Sequence, residues 1–342
     1  MGAECRSGAG ISWVVWKTEE LFISYGQHIH WMEHGGATCV YPRMLLIKPG
    51  KSILRTFVLL ALAGTAQWVF AQTLDGKFDI GSRHIRLACQ GSGYPTVVID
   101  AGLGTAPVED SAWQQIASKT AAVTRVCLYD RAGLGGSDRN PKPVITSLDS
   151  ATDMARALEI AGLHGPFLVV GHSIGGLHAQ VFANLYPSKV AGLVLVSSTH
   201  PDQFNIWLSL LPPPVDGESK VITDARTFMI TIQSDPLKNE ERLDARQSEE
   251  EARQLHSLGS KPVIVLTHSP KFRMVPGLAE PLAIKLENAT QQMQKQFLQL
   301  STNSKQFIAA TAGHELPHEA PDFVTEGILE GVRDVRAASR DR

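Results

Sequence analysis

The sequence predicts an α/β fold whose mostly parallel sheet is covered by helices on both faces. Short apolar runs of strand length alternate with amphipathic runs of helix length between about residues 77 and 336, a rhythm that pairs strands in parallel. The runs TVVIDA, FLVV and VAGLVLV are apolar throughout, as strands buried on both faces are. The stretch FLVVGHSIGGLHAQVFANLYP, residues 167–187, begins as such a run and ends with Leu177, Val181 and Leu185 at helical spacing, with Ser173 at the join.

In chain order, residues 77–80 and 84–89 read as a β-hairpin turning at Gly81-Ser82. Residues 96–101 form a strand, 113–120 a helix, 123–129 a strand, and 148–161 a helix with Asp149, Asp153 and Glu159 outward. The strand at 167–171 leads into the helix at 173–186, and 190–196 is a further buried strand. The rhythm then breaks. Residues 198–260 carry Pro212-Pro213-Pro214 and a charged helical run from 240 to 258, too long for a plain connection and too rich in helix formers for a linker, so they read as a helical insertion. Alternation resumes with a strand at 262–267, a helix at 286–300, a strand at 306–310 and a last helix at about 322–335.

The chain of 342 residues is 43% hydrophobic and 19% charged, enough to bury a full core. A formal net charge of -2 leaves no electrostatic footprint for nucleic acid, so a small-molecule substrate is the default. Residues 44–71, MLLIKPGKSILRTFVLLALAGTAQWVFA, have a basic start, an apolar centre and a close on Val69-Phe70-Ala71, the pattern of a secretory signal cleaved after Ala71. The apolar stretch is shorter than the ~20 residues of a membrane span. Export to the periplasm or medium is therefore expected, with no stable span after cleavage; an uncleaved anchor is the alternative. Such a signal belongs at the start of a chain, so residues 1–43 are read as an upstream extension without a fold of its own, translation beginning at Met44.

Gly171, Ser173 and Gly175 match G-x-S-x-G, in which a serine stands at a sharp strand-to-helix turn beside the first free N–H groups of the helix. A serine hydroxyl needs a base, and His314, on the loop after the last strand in AATAGHELPHEAPDFV, falls on the same sheet edge. His314-Glu315-x-x-His318 also spells the zinc-protease pattern, but that pattern works on a helix and Pro317 interrupts it. In YDRAGLGGSD, Asp130 and Arg131 fall on a turn, where a structural ion pair is favoured over substrate binding.

With VVIDAGLGTAPVEDSAWQQIA, RVCLYDRAGLGGSD, GHSIGG and GHELPHEAPDFV in that order over about residues 77–336, the chain resembles the α/β-hydrolase superfamily. The resemblance implies the α/β-hydrolase fold: a mostly parallel eight-stranded sheet with helices on both faces, a core of residues 77–197 and 261–336, and a helical lid at 198–260. It makes Ser173 the nucleophile, His314 the base, and the N–H groups of Leu103 and Ile174 the oxyanion hole. It implies an ester, thioester or related acyl substrate and no cofactor or metal. Aminopeptidase, lactonase, carbon–carbon hydrolase and haloperoxidase chemistry, or a non-catalytic binding protein on the same fold, stay open.

The acid departs from the family pattern. After the seventh strand, LTHSPKFRMVPG holds no carboxylate, and after the sixth, LVLVSSTHPDQ carries Ser197 and Ser198 where similar sequences have aspartate. Asp202 is the expected third member, with Glu280 behind it; a neutral Ser197 or a Ser-His dyad are the alternatives. Cys89 and Cys127 are the cysteines beyond the cleavage point. Export and the neighbouring strands of the family arrangement imply a disulfide between them, against two buried thiols as the alternative.

Overall fold

The computed structural model describes residues 2–6, 12–16, 39–40 and 73–340. It divides into two units, residues 1–68 and 69–342. In the first, Gly2–Arg6 pairs antiparallel with Ser12–Trp16 and with Cys39–Val40. No element was expected in this segment; the run Trp13 to Trp16 is β-branched and aromatic and suits a pleated surface. The expected signal segment, 44–71, lies outside the described residues. Among the described residues no helix is long and apolar enough to cross a membrane.

The second unit carries an eight-stranded sheet. Its strands are β1 Leu74–Asp79, β2 His84–Gln90, β3 Thr96–Asp100, β4 Val126–Tyr129, β5 Phe167–His172, β6 Val190–Val196, β7 Val263–Thr267 and β8 Ser304–Ile308. The spatial order is β8-β7-β6-β5-β3-β4-β2-β1. The β1–β2 hairpin and the β2–β4 pair are antiparallel, and every other pair is parallel. This is the α/β-hydrolase fold.

Alternate residues of the central strands feed two cores. Val98, Phe167, Val169, Leu193 and Leu195 pack on one face with Met154 and Leu158 of α2 (Ser147–Ile160) and Leu177 and Phe182 of α3 (Ile174–Leu185). Val97, Ile99, Leu168, Val170 and Val194 pack on the other with Trp113 and Ile116 of α1 (Ser111–Ala121) and with Val324, Ile328 and Val332 of the last helix, Pro321–Arg340. Because side chains alternate along a strand, an unbroken apolar run supplies both layers. One detail of α2 differs from expectation. Asp153 faces inward, buried and bonded to Arg83 Nε at 3.0 Å, because the β1–β2 turn brings a cation beneath that helix.

The insertion after β6 holds α4 (Gln203–Leu210), α5 (Lys220–Ser234) and α6 (Ala245–Ala252). Its charged run is shorter as a helix than the sequence implied, since the chain turns after Ala252. A third apolar cluster joins Phe204, Trp207, Met229 and Ile232 of this insertion to Ala283, Leu286 and Met293 of α7 (Glu280–Gln296). The insertion is thus packed on α7, an element beyond residues 198–260.

Candidate active site

Ser173 stands between β5 and α3 with φ 52° and ψ -122°, a conformation that is costly for a residue with a side chain. The turn is tight because both flanking glycines are in backbone contact. A β-carbon on Gly171 would lie 2.5 Å from the carbonyl oxygen of Gly175, and one on Gly175 would lie 2.5 Å from that of Ala101. The result projects Oγ over the sheet edge beside the N-terminus of α3. Ile174 is the first residue of that helix, so its N–H has no intrahelical acceptor. The turn after β3 lies alongside: a β-carbon on Gly102 would come within 3.6 Å of the Ser173 β-carbon. Leu103, next in that turn, is partly exposed.

His314 follows β8 and places Nε2 3.0 Å from Ser173 Oγ. Burial, reinforced by the neighbouring His172 and His268, pushes its imidazole well below the usual histidine range, so it is neutral and able to accept the serine proton. His172, buried at the end of β5 and likewise pushed down by burial, donates Nε2–H to the His314 carbonyl oxygen at 3.1 Å. That bond pins the loop that carries the base.

Asp202 is not brought to His314. It is the N-cap residue of α4, and its carboxylate receives Arg253 Nε at 2.8 Å. Glu280 is drawn to Arg273 Nη2 at 2.7 Å on the surface. Both acids have cations of their own nearer than the histidine. The partner of His314 Nδ1 is the hydroxyl of Ser197, at 2.9 Å. Ser197 immediately follows β6 and itself holds a positive φ of 40°. Its Oγ is also 2.8 Å from Nδ1 of His268, the residue after β7, and His268 Nε2 is 3.0 Å from Glu287 Oε1 on α7. His268 and Glu287 are both buried. Of these, only the serine was singled out by sequence. The signal for His268 was its place directly after β7, whereas Glu287 is 19 positions further on and carried none.

Arg131 has the structural role favoured for it, with different partners. It is buried between Asp100 and Glu241, and it donates to the carbonyl oxygens of Ala101 at 2.7 Å and Gly102 at 2.6 Å. Asp130 instead accepts the N–H groups of Val108 and Gly136, each at 3.1 Å. Burial pushes the Glu241 carboxyl up, but Arg131 and the Gly104 N–H outweigh it and hold the group below its ordinary value.

The zinc pattern does not form on a helix: the one-turn helix there is Leu316–Glu319, so His314 and Glu315 precede it. His318 Nε2 faces Asp110 at 2.9 Å. His172, His314 and Glu315 do offer ligand atoms within 4.8 Å of one another, yet both ring nitrogens of His314 face serine hydroxyls. Cys89 and Cys127 lie directly opposite on β2 and β4 and are joined as a disulfide.

A serine at a strand-to-helix apex, a histidine against its hydroxyl and two adjacent backbone turns thus meet at one edge of the sheet. The alpha/beta hydrolase fold family model matches residues 95–320, and the chain belongs to that family. An AB hydrolase superfamily protein of Gibberella zeae is 24% identical over 284 residues, 71% of this chain and 87% of the other. The protein C23C11.06c of Schizosaccharomyces pombe is 42% identical over 77 residues, 22% of this chain and 14% of the other. The chain spans under a fifth of the length of several curated relatives that it matches, 19% and 14% in two of them. Among solved structures, Cfl2 of Burkholderia cenocepacia is similar with a TM-score of 0.51 at 17% identity, over 75% of this chain and 95% of that one.

Proposed function

We propose that this protein is a serine hydrolase that cleaves an ester, thioester or related acyl bond through an acyl-enzyme. The observation that carries the reading is the 3.0 Å approach of His314 Nε2 to Ser173 Oγ at a strained turn. Ser173 Oγ attacks the substrate carbonyl carbon while its proton passes to His314 Nε2. The carbonyl π-electrons move onto oxygen, and the N–H groups of Ile174 and Leu103 stabilise the charge; one such donor is typically worth ~10²–10³ in rate. When the acyl–heteroatom bond breaks, the leaving group takes the proton from His314. Water, deprotonated by the same nitrogen, then releases the acid and restores the serine.

Leu103 also lines a cavity of about 540 Å³ with Thr227, Phe228, Thr231 and Ile232 of α5 and Glu240. Leu103, Phe228 and Ile232 give this cavity an apolar wall against which an acyl chain can pack, between the charged groups of Asp224, Asp235, Lys238 and Glu240. We further propose, from the leader pattern, that the protein is exported.

Labelling with a fluorophosphonate probe, followed by turnover of p-nitrophenyl esters of graded chain length, tests the reading. Stoichiometric labelling of Ser173 and hydrolysis of at least one ester are expected. An unlabelled, folded protein overturns it.

A further inference from the structure

The geometry points to Glu287 as the acid of this site, acting on His314 at a distance through His268 and Ser197. The inference rests on the acyl-enzyme reading above and goes beyond it. Where a carboxylate would accept Nδ1–H of the base, this chain puts a neutral hydroxyl. A hydroxyl alone stabilises an imidazolium weakly, since it carries no charge. Ser197, however, does not end the chain of contacts.

One assignment of protons satisfies every link. Ser173 donates to His314 Nε2, His314 Nδ1–H to Ser197 Oγ, Ser197 O–H to His268 Nδ1, and His268 Nε2–H to Glu287. All the donors point the same way, toward the carboxylate, so each bond polarises the next and the negative charge at the far end favours positive charge on His314. As the Ser173 proton reaches Nε2, the developing charge on His314 is drawn down this line, and the proton count of the relay rises by that one proton.

Two further features separate this arrangement from an incidental buried pair. Ser197 is held in a left-handed backbone conformation, which costs a serine free energy and persists where surrounding structure imposes it. That conformation sets its Oγ between two histidines at 2.8 and 2.9 Å. Glu287 is also held by a second donor on the same oxygen: Gln291 Nε2 donates to Glu287 Oε1 at 2.8 Å and to the His268 carbonyl oxygen at 3.0 Å, locking the carboxylate and the histidine together. The titratable groups facing His314 are His172, with ring centres 5.3 Å apart, and His268, at 6.3 Å. Glu315 is its chain neighbour and acts electrostatically on His172. Within the hydrogen-bonded line, Glu287 is the single carboxylate. Glu287, His268 and Ser197 are accordingly positioning residues.

The test uses the full chain with Glu287→Gln, Ser197→Ala, Ser197→Asp and the double variant Ser197→Asp/Glu287→Gln. Glu287→Gln keeps the shape and removes the charge. It should lower kcat ~10-fold or more with KM unchanged, less than the ~10⁴-fold commanded by an acid in direct contact. It should also move the acid limb of kcat/KM to lower pH, because His314 loses charge stabilisation. Ser197→Asp supplies the carboxylate directly, so adding Glu287→Gln to it should change kcat little. If Glu287→Gln does not fold, Ser197→Ala cuts the same line and should give the same kcat loss and pH shift. Unchanged kcat and pH profile in a folded Glu287→Gln or Ser197→Ala protein overturn the relay while leaving the acyl-enzyme reading intact. Nitrogen NMR of His314 separates the two ideas. Should the parent protein label with no probe, the acyl-enzyme reading falls, and the relay is still judged by whether Glu287→Gln lowers the His314 titration midpoint; no change in that midpoint overturns it.

Discussion

Glu241 accepts the backbone N–H of Gly104 at 2.8 Å while its two oxygens hold Arg131 at 2.6 and 2.7 Å. A residue of the insertion thereby fixes the turn that presents Leu103, and Arg131 fixes the same turn through the Ala101 and Gly102 carbonyls. Glu241→Ala leaves a buried guanidinium with one carboxylate in place of two, and breaking a buried pair costs ~3–5 kcal/mol. A lowered denaturation midpoint together with a lowered kcat is expected. Glu241→Gln, which keeps an acceptor for Gly104, should retain more of the kcat than of the stability. Wild-type values of both in the alanine variant would show that the tether carries neither.

Ser173→Ala should abolish probe labelling and reduce ester turnover by roughly the ~10⁶-fold seen where such a nucleophile is removed. The fold should survive, because the hydroxyl lies at a turn apex. Ser173→Gly should be more stable than Ser173→Ala by ~1 kcal/mol, since glycine relieves a strained conformation. Equal denaturation midpoints for the two would mean that the turn is not strained.

Because burial and its histidine neighbours hold His314 below the ordinary histidine value of 6.5, kcat/KM should stay level as pH falls through that value. It should decline only at lower pH, where solvent protons occupy Nε2. The sign for stability follows the same group. Below 6.5 the unfolded chain binds a proton at this histidine that the folded chain refuses, so its contribution is complete above 6.5 and is lost as pH falls toward the folded value. An acid limb centred at or above 6.5 would contradict both statements.

His318→Ala and Asp202→Asn should each leave kcat within a few-fold of the parent, since His318 faces Asp110 and Asp202 faces Arg253. His314→Ala should lose activity on the scale of Ser173→Ala. Comparable losses from His314→Ala and His318→Ala, reversed by added zinc, would restore the metal pattern.

The fold was legible because its strands are short, apolar and regularly spaced, and Ser173 and His314 were legible because each sits beside a strand end that sequence can locate. The line behind His314 was not. Ser197 was visible as the residue after β6, but its partner comes from the end of β7 and the last member from the middle of α7, 19 positions later. Convergence of that kind is decided by register between parallel strands: Val196 pairs with Leu266, which brings the residues just beyond each to the same edge. Asp202 misled for a related reason. It lies near β6 in sequence, but the chain enters α4 there, and Arg253, 51 positions away, claims the carboxylate. Arg131 was likewise assigned its neighbour Asp130, when the true partners come from β3 and the lid.

The Cys89–Cys127 bridge joins two strands of the sheet. The two residues are register partners on antiparallel strands β2 and β4, buried within the first core. Their sequence separation is 38, and closing a loop of that order constrains the unfolded chain by ~3–4 kcal/mol in the chain-entropy model. Reduction should therefore lower the denaturation midpoint without changing kcat, because neither cysteine approaches Ser173 or His314 in the hydrogen-bonded site. Protein recovered from an oxidising compartment and alkylated without reduction should carry no label at either position. Alkylation of both would mean two buried thiols on neighbouring strands, and reduction would then leave the midpoint where it was.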